Sequence, residues 1–197
     1  VTELSSFEFH DFDSFREHLH GWDTEPVQLD AGPLHLHWDQ LRIEDFALAR
    51  LGVNRRLADT SAVEPGALGF SVSPEPLLWC GLEVPPGSLV VFSPGRDQRS
   101  ALQPGFRSVE ISVSEGLLRE AGLLEEAIDP RAFPPERCVI PLRPELVGAF
   151  EILANSLRCF PGSGDSGPWA SALRQHALDL LRSALHGRGV PGIRPVP

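Results

Sequence analysis

The chain has 197 residues, of which 42% are hydrophobic; that is enough for one buried core and too little for two full-sized domains. Its formal net charge is -10, with 17 basic residues, all of them Arg, against 27 acidic ones, so its overall field repels phosphate and excludes nucleic-acid binding by bulk charge. Three cysteines, Cys80, Cys138 and Cys159, show no C-x-x-C spacing, which excludes a disulfide framework or a zinc knuckle and fits a reducing, cytoplasmic setting.

The opening stretch TELSSFEFHDFDSF has neither the basic nor the apolar region of a signal peptide, and no run approaches the ~18 apolar residues of a membrane span. No membrane partner is expected. Residues 1–26 read as an N-terminal extension holding one short helix over 11–20. There Phe12, Phe15 and Leu19 share a face, and Asp13 or Ser14 is available as the cap.

From Val27 to Val113 the hydrophobic period changes to two. Leu34, Leu36 and Trp38 alternate with His35, His37 and Asp39; Phe46, Leu48 and Arg50 alternate with Ala47, Ala49 and Leu51; Phe106, Ser108 and Glu110 alternate with Arg107, Val109, Ile111 and Val113. Breakers fall at Gly32-Pro33, Pro65-Gly66, Pro74-Glu75-Pro76, Gly81, Pro85–Gly87, Pro94-Gly95 and Pro104-Gly105. A spacing of roughly 8–12 residues between breakers marks an all-β barrel or sandwich, here of seven or eight strands. The segment PPGSLVVFSPG is the clearest case, since two Pro-Gly turns confine Ser88–Phe92 to a short buried strand.

After Ser114 three helical patterns follow, over 114–126, 144–159 and 168–186, the last opening on Pro168 with Gly187 just past its end. In that last helix Leu173, Ala177, Leu180, Leu181 and Ala184 form one apolar stripe. It must cover something, and a second copy of the chain is the expected partner. Residues 114–187 thus read as a helical dimerisation region and 188–197, rich in Pro and Gly, as a linker stub. Expected overall is an α+β, mainly β chain.

The Gln28-Leu29 to Gly32 run, Asn54-Arg55-Arg56-Leu57, Pro65-Gly66, Trp79-x-Gly81, Pro85–Gly87, Pro94-Gly95-Arg96 and the 106–113 strand before a helix resemble the N-terminal sensory domain of AraC-type transcription regulators, over about residues 8–125. The resemblance implies a cupin-like jelly-roll barrel at 27–113, followed by an antiparallel helical pair. It further implies a small-molecule effector inside the barrel, homodimerisation, and DNA binding only through a further C-terminal part that this chain lacks. No catalysis and no cofactor follow from it. The candidate effector contacts are Leu36, Trp38, Arg50, Phe70, Trp79, Phe92 and Glu110. Arg50 is placed to anchor an anionic effector bidentately, or else to pair internally with Glu110.

The competing reading is a cupin metalloenzyme, a dioxygenase or isomerase. His35-Leu36-His37 follows Gly32 and puts both imidazoles on one strand face, with Asp39 beyond. The Glu of the cupin metal pattern is Leu41 or Arg42 here, and the last His is Val90, so no metal is expected; if one binds, His35 and His37 hold it. Two further patterns lack their context. Gly164-Asp165-Ser166-Gly167-Pro168 spells a protease nucleophile turn, and Gly162-x-Gly164-x-x-Gly167 a dinucleotide fingerprint. The segment joins two helical patterns, whereas the first motif needs a positioned base and the second a preceding strand.

Overall fold

The computed structural model describes residues 2–19, 21–92, 94, 97–124, 135–159 and 167–186. In chain order the elements are β1 (Thr2–Phe9), α1 (Phe12–His18), β2 (Trp22–Thr24), β3 (Val27–Gln28), β4 (Leu36–Ile43), β5 (Phe46–Val53), β6 (Leu57–Val63) and β7 (Ala67–Ser73). They continue with β8 (Leu77–Trp79), β9 (Leu82–Val84), β10 (Ser88–Phe92), β11 (Gln98–Leu102), β12 (Arg107–Ser114), α2 (Glu115–Glu120), β13 (Val139–Pro141), α3 (Pro144–Asn155) and α4 (Gly167–His186). The strands pair antiparallel in two sheets. The larger is ordered β1-β4-β5-β12-β7-β10-β13 and the smaller β2-β6-β11-β8-β9, with β3 also on β6.

The chain is mainly β, as the alternation predicts, with more and shorter strands than expected. Ten lie within residues 27–113. The first 26 residues are no mere extension, because β1 pairs with β4 over its whole length, from Thr2 opposite Ile43 to Phe9 opposite Leu36. Nor is the segment after 113 wholly helical: β13 borders β10 at the far edge of the larger sheet. Helix α1 is capped by Asp11, whose carboxylate accepts from the Ser14 N–H at 2.7 Å, in place of Asp13 or Ser14. The 114–126 pattern yields one short helix with Ser114 as its cap. The 144–159 pattern yields α3 and then a 3-10 turn over Ser156–Cys159. Residues 162–166 of the dinucleotide-like motif, which include 164–166 of the protease-like one, Gly187 and the 188–197 linker lie outside the described residues.

Turn chemistry sets the hairpins. Between Trp79 and Leu82, Cys80 (φ 49°) and Gly81 (φ 81°) both take positive φ. Those are the torsions of the two-residue turn that matches strand twist, and they explain the glycine at 81.

Register then sorts the side chains of the larger sheet between two faces. Leu41, Leu48, Ile111 and Phe70 lie on one line across β4, β5, β12 and β7. One residue along, Gln40, Ala49, Glu110, Ser71 and Val90 form a line across β4, β5, β12, β7 and β10 that points the opposite way. The Phe70 face is covered by α3 and α4, through Phe150, Leu153, Ala177, Leu181 and Ala184, each buried almost completely. The apolar stripe of α4 is therefore used inside the protomer. Ala177, Leu180, Leu181 and Ala184 are buried and Leu173 packs partly against the same core. A dimer through this stripe is overturned by that packing.

Candidate functional site

The other face of the larger sheet looks at the smaller sheet across a cavity of about 90 Å³. Phe15 and Leu19 of the α1 segment, Trp22, Trp38, Phe92 and Phe106 supply most of its apolar wall, together with Leu36, Leu51, Leu57, Leu77 and Leu102. The aromatic rings brace each other edge on: Phe15 against Trp38 at 5.7 Å between centroids, and Trp22 against Phe92 at 5.0 Å. Glycine at 69 is needed here for space. A Cβ there would stand 2.6 Å from Val63 Cγ2 and 2.8 Å from Trp22 Cζ2, so the Trp22 indole lies directly on the β7 backbone.

Into this apolar space the two sheets each send a carboxyl group. Glu110 comes from β12, with the small Ala49 and Ser71 beside it across the sheet. Its Oε1 accepts from Ser71 Oγ at 2.9 Å and from Ser108 Oγ at 2.5 Å. Burial in apolar surroundings drives its pKa up to about 7; the two serine hydroxyls oppose the rise and the negative charge of Asp59 adds to it. Asp59 comes from β6, on the face it shares with Leu57, Ser61 and Val63. Burial raises its pKa as well, although it accepts from the Thr24 hydroxyl and from Ser61. Among the described residues lining the cavity, Asp59 and Glu110 are the only ones that ionise.

Of the sequence-predicted contacts, Leu36, Trp38, Phe92 and Glu110 line this cavity. Trp79 is buried behind it, its ring 5.8 Å from that of Phe92. Phe70 is not a lining residue, because it points to the helix-covered face. Arg50 points that way too, opposite Val109 and one residue out of step with Glu110. Among the described residues Arg50 forms no ion pair with Glu110; it stands 3.8 Å from the Asp39 carboxylate instead. Asp59, Trp22 and Thr24 were missed by the sequence reading. For Asp59 a signal existed, since an acidic residue at the third position of Leu57-Ala-Asp-Thr-Ser-Ala-Val stands on the apolar face of a period-two strand.

The two histidines are parted from the cavity and from each other's chemistry. His35 lies before β4, exposed, its ring edge-on to His10 at 4.9 Å. His37 Nε2 sits 2.8 Å from Asp39 Oδ2 and 2.8 Å from a terminal nitrogen of Arg158. A guanidinium at that nitrogen repels a metal cation, and among the described residues no group of three or more His, Cys, Asp or Glu stands together to hold one. The residues do not fit a metal centre. They form a polar tie instead: burial would raise the Asp39 pKa, but bonds from Ser6 Oγ at 2.6 Å, from His37 and from Arg158 Nε at 3.0 Å outweigh it and hold the carboxyl below the ordinary carboxylate range.

Among the described residues no helix is long and apolar enough to cross a membrane. No family model matches the chain, and no curated protein does. Among solved structures, two of oxalate decarboxylase are each 12% identical to it, with TM-scores of 0.29 and 0.28. Each alignment takes in 61% of this chain and 40% of the other, and the second structure is described for the Mn(II) centres of the Bacillus subtilis enzyme. A tryptophan-to-phenylalanine variant of the B. subtilis protein is 14% identical, with a TM-score of 0.27, over 73% of this chain and 39% of the other. The chain thus matches about two-fifths of the length of those proteins. Superpositions of that extent leave the topology and the site to stand on their own geometry.

Proposed function

We propose that this chain is a small-molecule-binding domain of cupin-like character, acting as the effector-sensing part of an AraC-type regulator. The observation that carries the reading is the cavity between the sheets, walled by aromatic and aliphatic side chains and furnished with two half-buried carboxyl groups. A cavity that is mostly apolar with a few convergent polar groups is the usual form of a ligand site. Its position supports a sensing role. The cavity touches Phe15 and Leu19 on one side, and the strand that carries Glu110 packs α3 on the other. A ligand that binds one arrangement of these elements better than another shifts their populations. A homodimer belongs to the same reading, through a surface other than the α4 stripe.

The reading is tested on the gene and on the protein. Within about a hundred codons after Pro197, two helix-turn-helix patterns are expected; a stop codon there, or a catalytic domain, overturns the regulator. A screen of small molecules by thermal shift should find stabilisers whose effect is lost when Ser100→Phe fills the cavity. Stabilisation unchanged in that variant overturns the site.

A second reading is favoured by one observation, the Glu110 carboxyl lying close to neutrality beside Asp59. Two carboxyls in unlike surroundings suit general acid and base work, so a cupin-class enzyme built on this pair, rather than on His35 and His37, is the runner-up. Turnover of a bound ligand that is abolished by both Asp59→Asn and Glu110→Gln would establish it over the sensor.

A further inference from the structure

We propose that the ligand of this cavity is a small organic cation, a protonated amine with a short apolar body, whose ammonium group is received by Asp59 and Glu110. The inference rests on the reading of the cavity as a ligand site and adds the sign of the ligand's charge. Three observations carry it.

The first is the distribution of charge. Both ionisable groups among the described lining residues are acids, one from each sheet, and the arginine that sequence reasoning placed inside, Arg50, faces the helices. An anionic ligand would meet two carboxyls and no counter-charge. A cation relieves the cost of holding two acids in an apolar space.

The second is the state of the acids' hydrogen bonds. Ser71 and Ser108 both donate to the same oxygen of Glu110, Oε1. A carboxylate has about four acceptor positions, and an ammonium group supplies the donors that hydroxyls on one oxygen cannot. The Trp22, Trp38 and Phe92 rings stand in the wall, and aromatic rings attract an alkylammonium.

The third is independent of the acids. Gln98 and Trp79 are buried, at 3% and 2% exposure, yet among the described residues neither amide atom of Gln98 nor Trp79 Nε1 has a hydrogen-bond partner. Gln98 lies on β11 two residues from Ser100, a lining residue on the same strand face, and opposite Ser61, another. Trp79 lies opposite Ser100 on the other side. Buried polar groups are nearly always satisfied; neither residue lines the cavity itself, but both stand on the inter-sheet side beside lining residues, so the polar set of that interior is incomplete among the described residues.

The test uses three probes of one size and shape: n-butylamine, 1-butanol and butyrate. Each is titrated into the full chain at pH 8 while the indole N–H resonances are followed by NMR, with Trp169 of α4 as the internal control. Expected is a shift of the Trp22 and Trp38 signals by the amine, at least tenfold tighter than by either isostere and weakened at least tenfold by Glu110→Gln. Because Asp59 is the only other described lining group that titrates, amine affinity should also fall about tenfold between pH 8 and pH 6 as Glu110 takes up a proton. Butanol or butyrate binding as tightly as the amine overturns the cation and leaves the cavity as a ligand site. If none of the three moves Trp22 or Trp38, the cation falls and the binding reading falls with it. Asp59→Asn is the second variant, removing the other carboxylate; amine binding that is unchanged in it overturns the proposal.

Discussion

Arg158 Nε donates to Asp39 Oδ2 at 3.0 Å across 119 residues of sequence, tying the 3-10 turn after α3 to strand β4 of the larger sheet. Asp39 is almost fully buried while the Arg158 side chain is 49% exposed, so the two ends of the bond are worth different amounts. Asp39→Ala is expected to cost roughly 2–4 kcal/mol, because it leaves Ser6, His37 and Arg158 without their acceptor and Arg50 without its neighbouring counter-charge, and Arg158→Ala about 1 kcal/mol. Urea unfolding at pH 7 measures both. Since the fold holds the Asp39 carboxyl below its ordinary value of 3.8, its contribution is present above that pH and is lost as the pH falls through its folded-state pKa.

Glu110 acts in the opposite sense. Its pKa is about 7 in the folded protein against 4.5 in the unfolded one, so between those values the folded state holds the extra proton and stability declines as pH rises. The decline totals about 3 kcal/mol and is complete a little above pH 7. Glu110→Gln keeps the shape without the charge. It should be close to neutral in stability at pH 5 and stabilising by up to about 3 kcal/mol at pH 8, read from denaturant midpoints at the two pH values; equal differences at both would show that Glu110 does not titrate in this range.

Gly69→Ala places a methyl group against the Trp22 ring and Val63. The backbone can accept alanine, since Gly69 is not among the positive-φ residues, so the cost is steric, about 1–3 kcal/mol. Trp22 emission should change with it, because the indole must leave its place between β7 and the cavity. An unaltered spectrum with full stability would mean the ring has room to spare.

Leu181→Glu is expected to unfold the chain rather than to split a dimer. Leu181 is fully buried between α4 and the core of its own protomer, and a charge there combines the loss of about 2–3 kcal/mol of burial with an unpaired carboxylate. Circular dichroism with ultracentrifugation separates the outcomes: a folded monomer would restore the stripe as an interface.

The strand alternation was legible because each strand keeps one polar and one apolar row. Leu36 and Trp38 were placed on the cavity side, with His37 and Asp39 turned from it, and Glu110 was placed with Ser108 against Val109 and Ile111. Which row faces the cavity was not legible, because the larger sheet is covered on both faces and Phe46, Leu48 and Arg50 look as interior as Leu36 and Trp38. For that reason Arg50 and Phe70 were assigned to the wrong side. The same ambiguity affected α4, whose apolar stripe says that it covers a surface but not whose surface. Strands β2 and β3 carry too few residues for a period to show, and Trp22 and Thr24 were missed with them. Asp59 alone was within reach, as an acid set in an apolar row.

In β12 the residue that lines the cavity, Glu110, and the residue that faces the helix-covered side of the sheet, Ile111, are consecutive. A ligand in the cavity, were one to bind there, would need no relay of side chains to reach the far side: one peptide group is both floor and ceiling, and a tilt of that single plank would be felt upstairs and downstairs at once.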